Sequence, residues 1–317
     1  MLQALKPART GTPYWARNVI YADRSIIVLN KPAGLICQGS DASSENKPRD
    51  VDKFNDLLHG AYFLFVFDVH DARYLSRLTD VKDTFALESL PCPVHRLDKA
   101  TTGTLLLARN SSTARQFSQQ FQSRVVEKTY LALVRGGEKS FPTRSGEIRD
   151  ALEFSDGRVS IGESCGAKFA ATDWELIASS PIAPLSLLRL TLHTGLKHQL
   201  RIHLAHSLHT PILGDNLYAR SSISEKIAKI TRLPEKRMFL HAAQLTLSRY
   251  RKTGPNKHFR LRVGAPIPKD FLTVCRDAGI SLDHIYVDGG LSVDGQHVSD
   301  VPDLEGRWLR KSPVSRS

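Results

Sequence analysis

Apolar and polar residues alternate along much of this chain with a period near two, the spacing of a strand half-buried in a sheet. Lys128 to Val134 shows it most clearly: Tyr130, Ala132 and Val134 share one face, Leu131 and Leu133 the other. The same reading predicts strands over 167–177, 185–193, 240–248 and 259–263. From Asn18 to Leu29, two short β-rich stretches flank Ala22-Asp23-Arg24-Ser25, a turn sequence, and Asn30-Lys31-Pro32-Ala33-Gly34 closes the unit as a loop. Helical spacing occurs twice. Ala114, Phe117 and Phe121 share a face behind a cap at Ser111 or Ser112, and 197–207 carries Leu200 and Leu204 inward. Phe63, Phe65 and Phe67 alternate with Leu64 and Val66 and can form a buried strand, but the charged residues that follow, up to position 90, keep no period. Many strands with few helices predict an α+β fold on a mixed, mostly antiparallel sheet.

Composition narrows the class. The chain has 317 residues, 41% of them apolar and 24% charged, enough to bury a core and too apolar for disorder throughout. No stretch approaches the ~18 uncharged apolar residues that a membrane-spanning helix needs. Lys and Arg number 44 against 32 Asp and Glu, a net charge of +12. Such an excess favours a polyanionic partner, because neutralising phosphates releases their counterions. A long basic amphipathic helix, the mark of a membrane-surface protein, is missing. Cys37, Cys92, Cys165 and Cys275 form no C-x-x-C pair, which speaks against a zinc ribbon or redox motif and for a reducing compartment. Lys6, Arg9 and Arg17 precede the first acid, Asp23, with no secretory apolar core between them. A mitochondrial address is therefore expected, with a nuclear or cytoplasmic chain carrying an ordinary basic leader as the alternative. From Tyr286 onward the chain is rich in Gly, Asp and Ser and ends in Arg307, Arg310, Lys311 and Arg316, the composition of a poorly ordered tail.

The stretch with the most chemistry is Pro93-Val94-His95-Arg96-Leu97-Asp98-Lys99-Ala100-Thr101-Thr102-Gly103, set just ahead of the apolar run Leu105-Leu106-Leu107. Basic neighbours stabilise the charged form of a carboxylate, and an ionised, positioned carboxylate can act as a nucleophile. On the residues alone, a turn or capping aspartate is the commoner reading of such a residue.

This segment resembles the H-R-L-D-x-x-T-S-G signature of the RluA-type pseudouridine synthases, within the RluA/RsuA superfamily, in the form without an S4 domain. Five further blocks agree in family order: Asn30-Lys31-Pro32-Ala33-Gly34; Glu127-Lys128-Thr129-Tyr130; Thr194-Gly195-Leu196-Lys197-His198-Gln199-Leu200-Arg201-Ile202-His203; Pro211-Ile212-Leu213-Gly214-Asp215 with Tyr218; and Leu240-His241-Ala242. The resemblance implies a mixed, mostly antiparallel sheet in two subdomains with a central cleft. It implies isomerisation of specific uridines in ribosomal, transfer or messenger RNA to pseudouridine, in which the N-glycosidic bond gives way to a C–C bond. Asp98 would then be the essential carboxylate, by attack on the sugar C1′ or by a glycal route. Tyr130 would pack on the target base and serve as a base. Arg201 would pair with Asp98 through a bidentate contact. Arg96 would displace the nucleotide from its stack, Leu200 would line the uracil pocket and Lys128 would contact phosphate. His95, Thr102 and Gly103 belong to the same substrate-binding set, His95 supporting the loop rather than donating protons.

The resemblance calls for no metal or organic cofactor, and the partner it implies is RNA, met by a monomer. It divides the chain into a leader at 1–17, a catalytic domain at 18–270 with an insertion at 62–90, and a partly disordered extension at 271–317. Leu196 stands where the family has arginine, and Thr102 where it has serine. The charge, the Leu196 departure and the insertion leave a second reading, a non-catalytic RNA-binding or ribosome-assembly factor on the same scaffold. Against it, a carboxylate facing polyanionic RNA costs electrostatic energy and makes sense mainly as chemistry. His198, His203, His206 and His209 lack the H-E-x-x-H pattern of a zinc site, and no G-x-S-x-G elbow marks a hydrolase.

Overall fold

The computed structural model describes residues 16–35, 37, 72–155, 158–219, 221–231, 237–251 and 257–310. The first unit is a hairpin of β1 (Val19–Ala22) and β2 (Ile26–Lys31). Asp23 makes its turn: one carboxylate oxygen accepts from the Ser25 and Ile26 amides at 2.6 and 2.8 Å. The other accepts from Arg249 at 2.7 Å and from the Tyr21 hydroxyl at 2.9 Å. Helix α1 (Ala72–Thr84) and the short β3 (Cys92–Pro93) lead into β4 (Thr102–Ala108). Then come α2 (Ser111–Gln122), β5 (Glu127–Arg135), β6 (Ser145–Ser155), β7 (Arg158–Ile161), β8 (Lys168–Ser179) and β9 (Leu185–Leu192). Helix α3 (Gln199–Ile202) runs on into a π-helical turn, His203–Ser207, and α4 (Glu225–Ile230) precedes β10 (Leu240–Tyr250) and β11 (His258–Gly264). Helices α5 (Lys269–Asp277) and α6 (His284–Val287) are followed by β12 (Gly290–Val293), β13 (Gln296–Val298), β14 (Asp300–Val301) and β15 (Gly306–Trp308).

The described strands form one sheet in the order β14-β15-β1-β2-β4-β10-β5-β9-β8-β6-β7, with β3 beside β4 and β11, β12 and β13 branching from β10. Every pairing but one is antiparallel. The exception joins β4 to β10 in parallel over His241↔Thr102 and Ala242↔Gly103. Two antiparallel halves thus meet at one short seam. The seam demands glycine at 103. Its φ is +112°, and a Cβ there would lie 2.1 Å from the Ala242 carbonyl oxygen.

The alternation expected along β5 sorts its side chains into two cores. Tyr130, Ala132 and Val134 pack with Leu188, Leu190, Leu200 and Leu204, while Leu131 and Leu133 pack with Phe239, Phe271 and Val274. Because both faces are covered, β5 reads as nearly continuous apolar sequence. A fully buried leucine contributes about 1.5–3 kcal/mol, so these two layers fix how the cleft walls are held.

Several elements differ from the sequence reading. The cap of α2 is Asn110, whose side chain accepts from the Thr113 amide at 2.9 Å. Asn30 and Lys31 extend β2, so the loop starts at Pro32. The β6–β7 hairpin was not anticipated. The expected C-terminal extension is part of the sheet over residues 290–308: β12 pairs with β11 and β15 with β1. Gly and Asp residues there make turns. Asp294 and Gly295, with φ of 49° and 87°, form the tight β12–β13 connection that an Asp-Gly pair favours. The Phe63–Phe67 stretch, most of the leader and residues 311–317 lie outside the described residues. The described end of the expected insertion is docked, since Leu78, Val81, Phe85 and Leu87 join the main core.

Candidate active site

A cleft of about 340 Å³ opens at the seam between the two sheet halves. Three segments furnish it. The loop ahead of β4 brings Asp98, β5 brings Tyr130, which sits in register with Ala242 of β10, and α3 brings Leu200 and Arg201. Asp98, Arg96, His95, Lys128, Tyr130, Leu200 and Arg201 all line this one cleft. Among the described residues its cationic lining is Arg96, Arg124, Lys128, Lys197 and Arg201, and Asp98 is its only carboxylate.

The catalytic loop is fastened from beneath. Lys31 is fully buried, and its ammonium donates to the carbonyls of Pro32, Leu35 and Lys99 at 3.0, 3.1 and 3.1 Å. Burial pulls its pKa down to about 8, against the opposing pull of Cys37 and Asp98. The Gly34 amide donates to the Lys99 carbonyl at 2.8 Å, tying the same two loops together. His95 holds the far side. Its Nε2 accepts from the Leu106 amide at 2.9 Å, and its ring stacks on Phe121 at 4.7 Å. Burial, then the Lys128 charge, lowers the His95 pKa to about 3. A neutral acceptor of this kind supports the loop and carries no proton for chemistry.

Arg201 is where the geometry corrects the sequence. Its bidentate partner is Asp215, with Nε and Nη2 donating to the two carboxylate oxygens at 2.7 and 2.8 Å. Asp98 receives only a longer ion pair, Nη1 to Oδ2 at 3.6 Å. The reason is position: the Asp215 side chain is 1% exposed at the turn facing α3, whereas the Asp98 side chain is 23% exposed at the cleft floor. The Leu217 and Tyr218 amides complete the Asp215 shell at 2.9 and 3.2 Å. Burial raises the Asp215 pKa, but the Arg201 hydrogen bonds and charge outweigh it, and the net shift is downward. The guanidinium also lies over the Tyr218 ring, 5.0 Å from its centroid. Arg201 is thus fixed from behind, with one edge left toward Asp98.

Tyr130 is buried beside Asp98. Burial first, then the Asp98 charge, raises its phenol pKa well above the ordinary value. The ring can pack against a base, and the hydroxyl can donate a hydrogen bond. Lys128 is pulled down to about 8 by burial and by Arg124.

Thr102 and Gly103 do not belong to the cleft lining. They open β4 at the seam, where the Thr102 hydroxyl meets His241 Nδ1 at 2.9 Å. His241 Nε2 faces the Ala265 carbonyl at 3.1 Å, which can only accept, so the ring is a neutral bridge within the sheet. Burial lowers its pKa to about 4. Leu196, in place of the family's arginine, packs against Leu152, Val159, Ala170 and Ile202 at the edge of the cleft.

The entry to α3 is set by Gln199. Its Oε1 accepts from the Thr194 hydroxyl at 2.7 Å and the Leu196 amide at 3.1 Å, while its Nε2 donates to Ala171 O and Thr172 Oγ1, both at 3.0 Å. All four groups are buried or half-buried, so the turn is rigid. His198 takes a left-handed φ of 54° there and meets the Tyr218 hydroxyl at 2.8 Å. Sequence reasoning missed Asp215, Lys31 and Gln199 as site-building residues. All three lie in the quoted blocks, and the signal was a charged or amide side chain embedded among apolar ones.

The family model described as RNA pseudouridylate synthase matches residues 25–206. The chain is 32% identical over 230 residues to the ribosomal large subunit pseudouridine synthase D of Borreliella burgdorferi, covering 72% of this chain and 60% of that protein. It is 31% identical over 247 residues to the tRNA pseudouridine synthase C of Haemophilus ducreyi, covering 72% of this chain and 84% of that one. The mitochondrial pseudouridylate synthase RPUSD4 of Rattus norvegicus is 29% identical over 222 residues, 64% of this chain and 52% of that protein. The solved structure of human RNA pseudouridylate synthase domain containing 4 superposes with a TM-score of 0.58 at 23% identity, over 85% of this chain and 96% of that one, and so shares the fold.

Proposed function

The chain belongs to the RNA pseudouridylate synthase family, a family of isomerases, and from that premise we propose that it converts uridine to pseudouridine in RNA with Asp98 as the reacting carboxylate. The observation that carries the reading is that, among the described residues, Asp98 is the only carboxylate lining a cleft that also carries Arg96, Arg124, Lys128, Lys197 and Arg201. Cations at the rim neutralise the phosphates on either side of the target nucleotide, and the base that reaches Asp98 has left its stack. In the net reaction the N1–C1′ bond breaks, the uracil turns, C5 bonds to C1′, and the C5 proton passes to solvent as N1 gains one.

The residues divide this work. Asp98 acts at C1′ directly or through a glycal, Tyr130 and Leu200 flank the detached base, and Arg201 holds the carboxylate's geometry. A wall that keeps uracil from diffusing away during its rotation is an effective-concentration device, and the buried faces of Tyr130 and Leu200 suit it. Ribosomal and transfer RNA, the substrates in the relatives' names, are the classes we carry over. The mitochondrial address in the name of the rat relative is carried over in the same way. The purified chain is expected to release tritium from RNA containing 5-tritiated uridine. No release at stoichiometric enzyme from total ribosomal and transfer RNA would remove the reading.

Lys128 provides a graded test of the phosphate contact. With its pKa brought down to about 8, the side chain is cationic below that pH and loses its charge as pH rises through it. Its contribution to RNA affinity is therefore full at pH 6.5 and fades by pH 9.5. Lys128→Gln is expected to weaken RNA binding several-fold at pH 6.5, to lessen the alkaline decline, and to reduce the log–log salt slope by about 0.7. Fluorescence anisotropy across a potassium chloride series measures all three.

A further inference from the structure

Phe169 lies at the cleft and belongs to none of the hydrophobic cores. It is 58% exposed and lines the cleft at the start of β8. Alternation along β8 explains its direction. Ala170, Thr172 and Trp174 point into the protein, and Phe169 shares the other face with Ala171 and Asp173. Its neighbour in register is Ala151, a small side chain that leaves the ring uncovered. Lys168, one residue back, is turned to the opposite face, its ammonium 5.8 Å from the centroid of Phe154. Phe169 thus stands as a large exposed ring in the lining of the cleft that also includes His193 and Lys197. Folding gains little from a side chain left in water, and a ring so placed exposes its plane at the mouth of a cationic cleft.

Resting on the function proposed above, we infer that Phe169 is a stacking platform for an unpaired base adjacent in the RNA to the uridine being isomerised. Every base offers a π-face to an aromatic ring, and the surrounding cations hold the backbone, the combination that binds single-stranded nucleic acid. The contact sets which flanking nucleotides are accepted through their stacking strength, without reading hydrogen-bond edges. It acts on substrate capture, since the ring stands at the rim while Asp98 lies at the floor.

The test compares a short single-stranded oligouridine with an abasic oligonucleotide of the same length and charge, by anisotropy at fixed salt. Phe169→Ala is expected to weaken oligouridine binding about tenfold and to leave the abasic strand unaffected. Phe169→Trp should restore binding, and Phe169→Leu, which keeps apolar bulk without a flat π-face, should not. In tritium release, Phe169→Ala should raise KM with kcat unchanged, and the melting temperature should match wild type because the ring is outside the core. Equal loss on both strands, no loss on either, or full rescue by leucine would overturn the assignment. So would a change in sedimentation on Phe169→Ala in RNA-free solution, which would make the ring's occupant a second copy of the chain. If wild-type protein binds oligouridine through Phe169 but releases no tritium, the enzymatic reading fails and the platform stands. If it releases tritium and Phe169→Ala binds normally, only the platform fails.

Discussion

Asp98→Asn is expected to lower tritium release from 5-tritiated uridine RNA by about four orders of magnitude or more, the scale of loss when a reacting group is removed from an otherwise intact site. The substitution keeps the shape of the side chain and removes its charge and nucleophilicity. The structural cost should be small. Asp98 is 23% exposed, its one ion pair to Arg201 is 3.6 Å long, and Arg201 keeps its bidentate partner. Melting temperature should therefore stay close to wild type. RNA affinity should hold or rise slightly, because the only carboxylate that lines the cleft among the described residues is then neutral. Isomerisation by the asparagine variant at the wild-type rate would remove Asp98 from the mechanism. Loss of activity together with loss of fold would be answered by Asp98→Glu, which retains the charge but shifts the reacting oxygens by a methylene.

The second large effect is expected at Asp215. Removing one partner of a buried, bidentate pair leaves the other charge uncompensated, at a cost of about 3 kcal/mol. Asp215→Ala should lower the melting temperature accordingly. The less disruptive Asp215→Asn should also reduce kcat, by about a hundredfold, because a guanidinium free to shift by an ångström no longer aims Asp98. RNA binding should be unaffected at temperatures well below the melting transition, which separates positioning from general damage. The pH dependence has a definite sign. The folded-state pKa of Asp215 is depressed below its ordinary value of 3.8, so the stability it contributes is fully present above that value. It is lost as pH falls through the folded-state pKa. The stability difference between wild type and Asp215→Asn should therefore be constant near neutrality and shrink in acid below about pH 4, measured by denaturant unfolding at a series of pH values. Equal kcat in the two proteins would show that Arg201 needs no support from this turn.

Legibility varied with the range of the interaction. The strands β5, β8, β9, β10 and β11 were readable because a period of two is imposed by the backbone itself and needs no partner to be seen. Asp98, Tyr130, Leu200 and Arg201 were nameable because each sits inside a motif whose residues are contiguous. Thr102 and Gly103 show the limit of that reasoning. They adjoin the catalytic loop in sequence, yet β4 begins at Thr102 and carries both into the seam, where His241 and the Ala242 carbonyl meet them. The β12 to β15 strands were misread because Gly, Asp and Ser signal turns, and nothing local tells a turn between paired strands from a loose end.

Residue order alone places the charges, marks the extended segments and sets one aspartate among basic and apolar neighbours in a family-specific order. Folding alone set Arg201 against Asp215 rather than Asp98, buried Tyr130 beside Asp98 and left Phe169 in the open. The physical reason is common to all three. Ion pairing, desolvation and exposure depend on distances between groups far apart along the chain, and these exist only once the two sheet halves have closed on their seam.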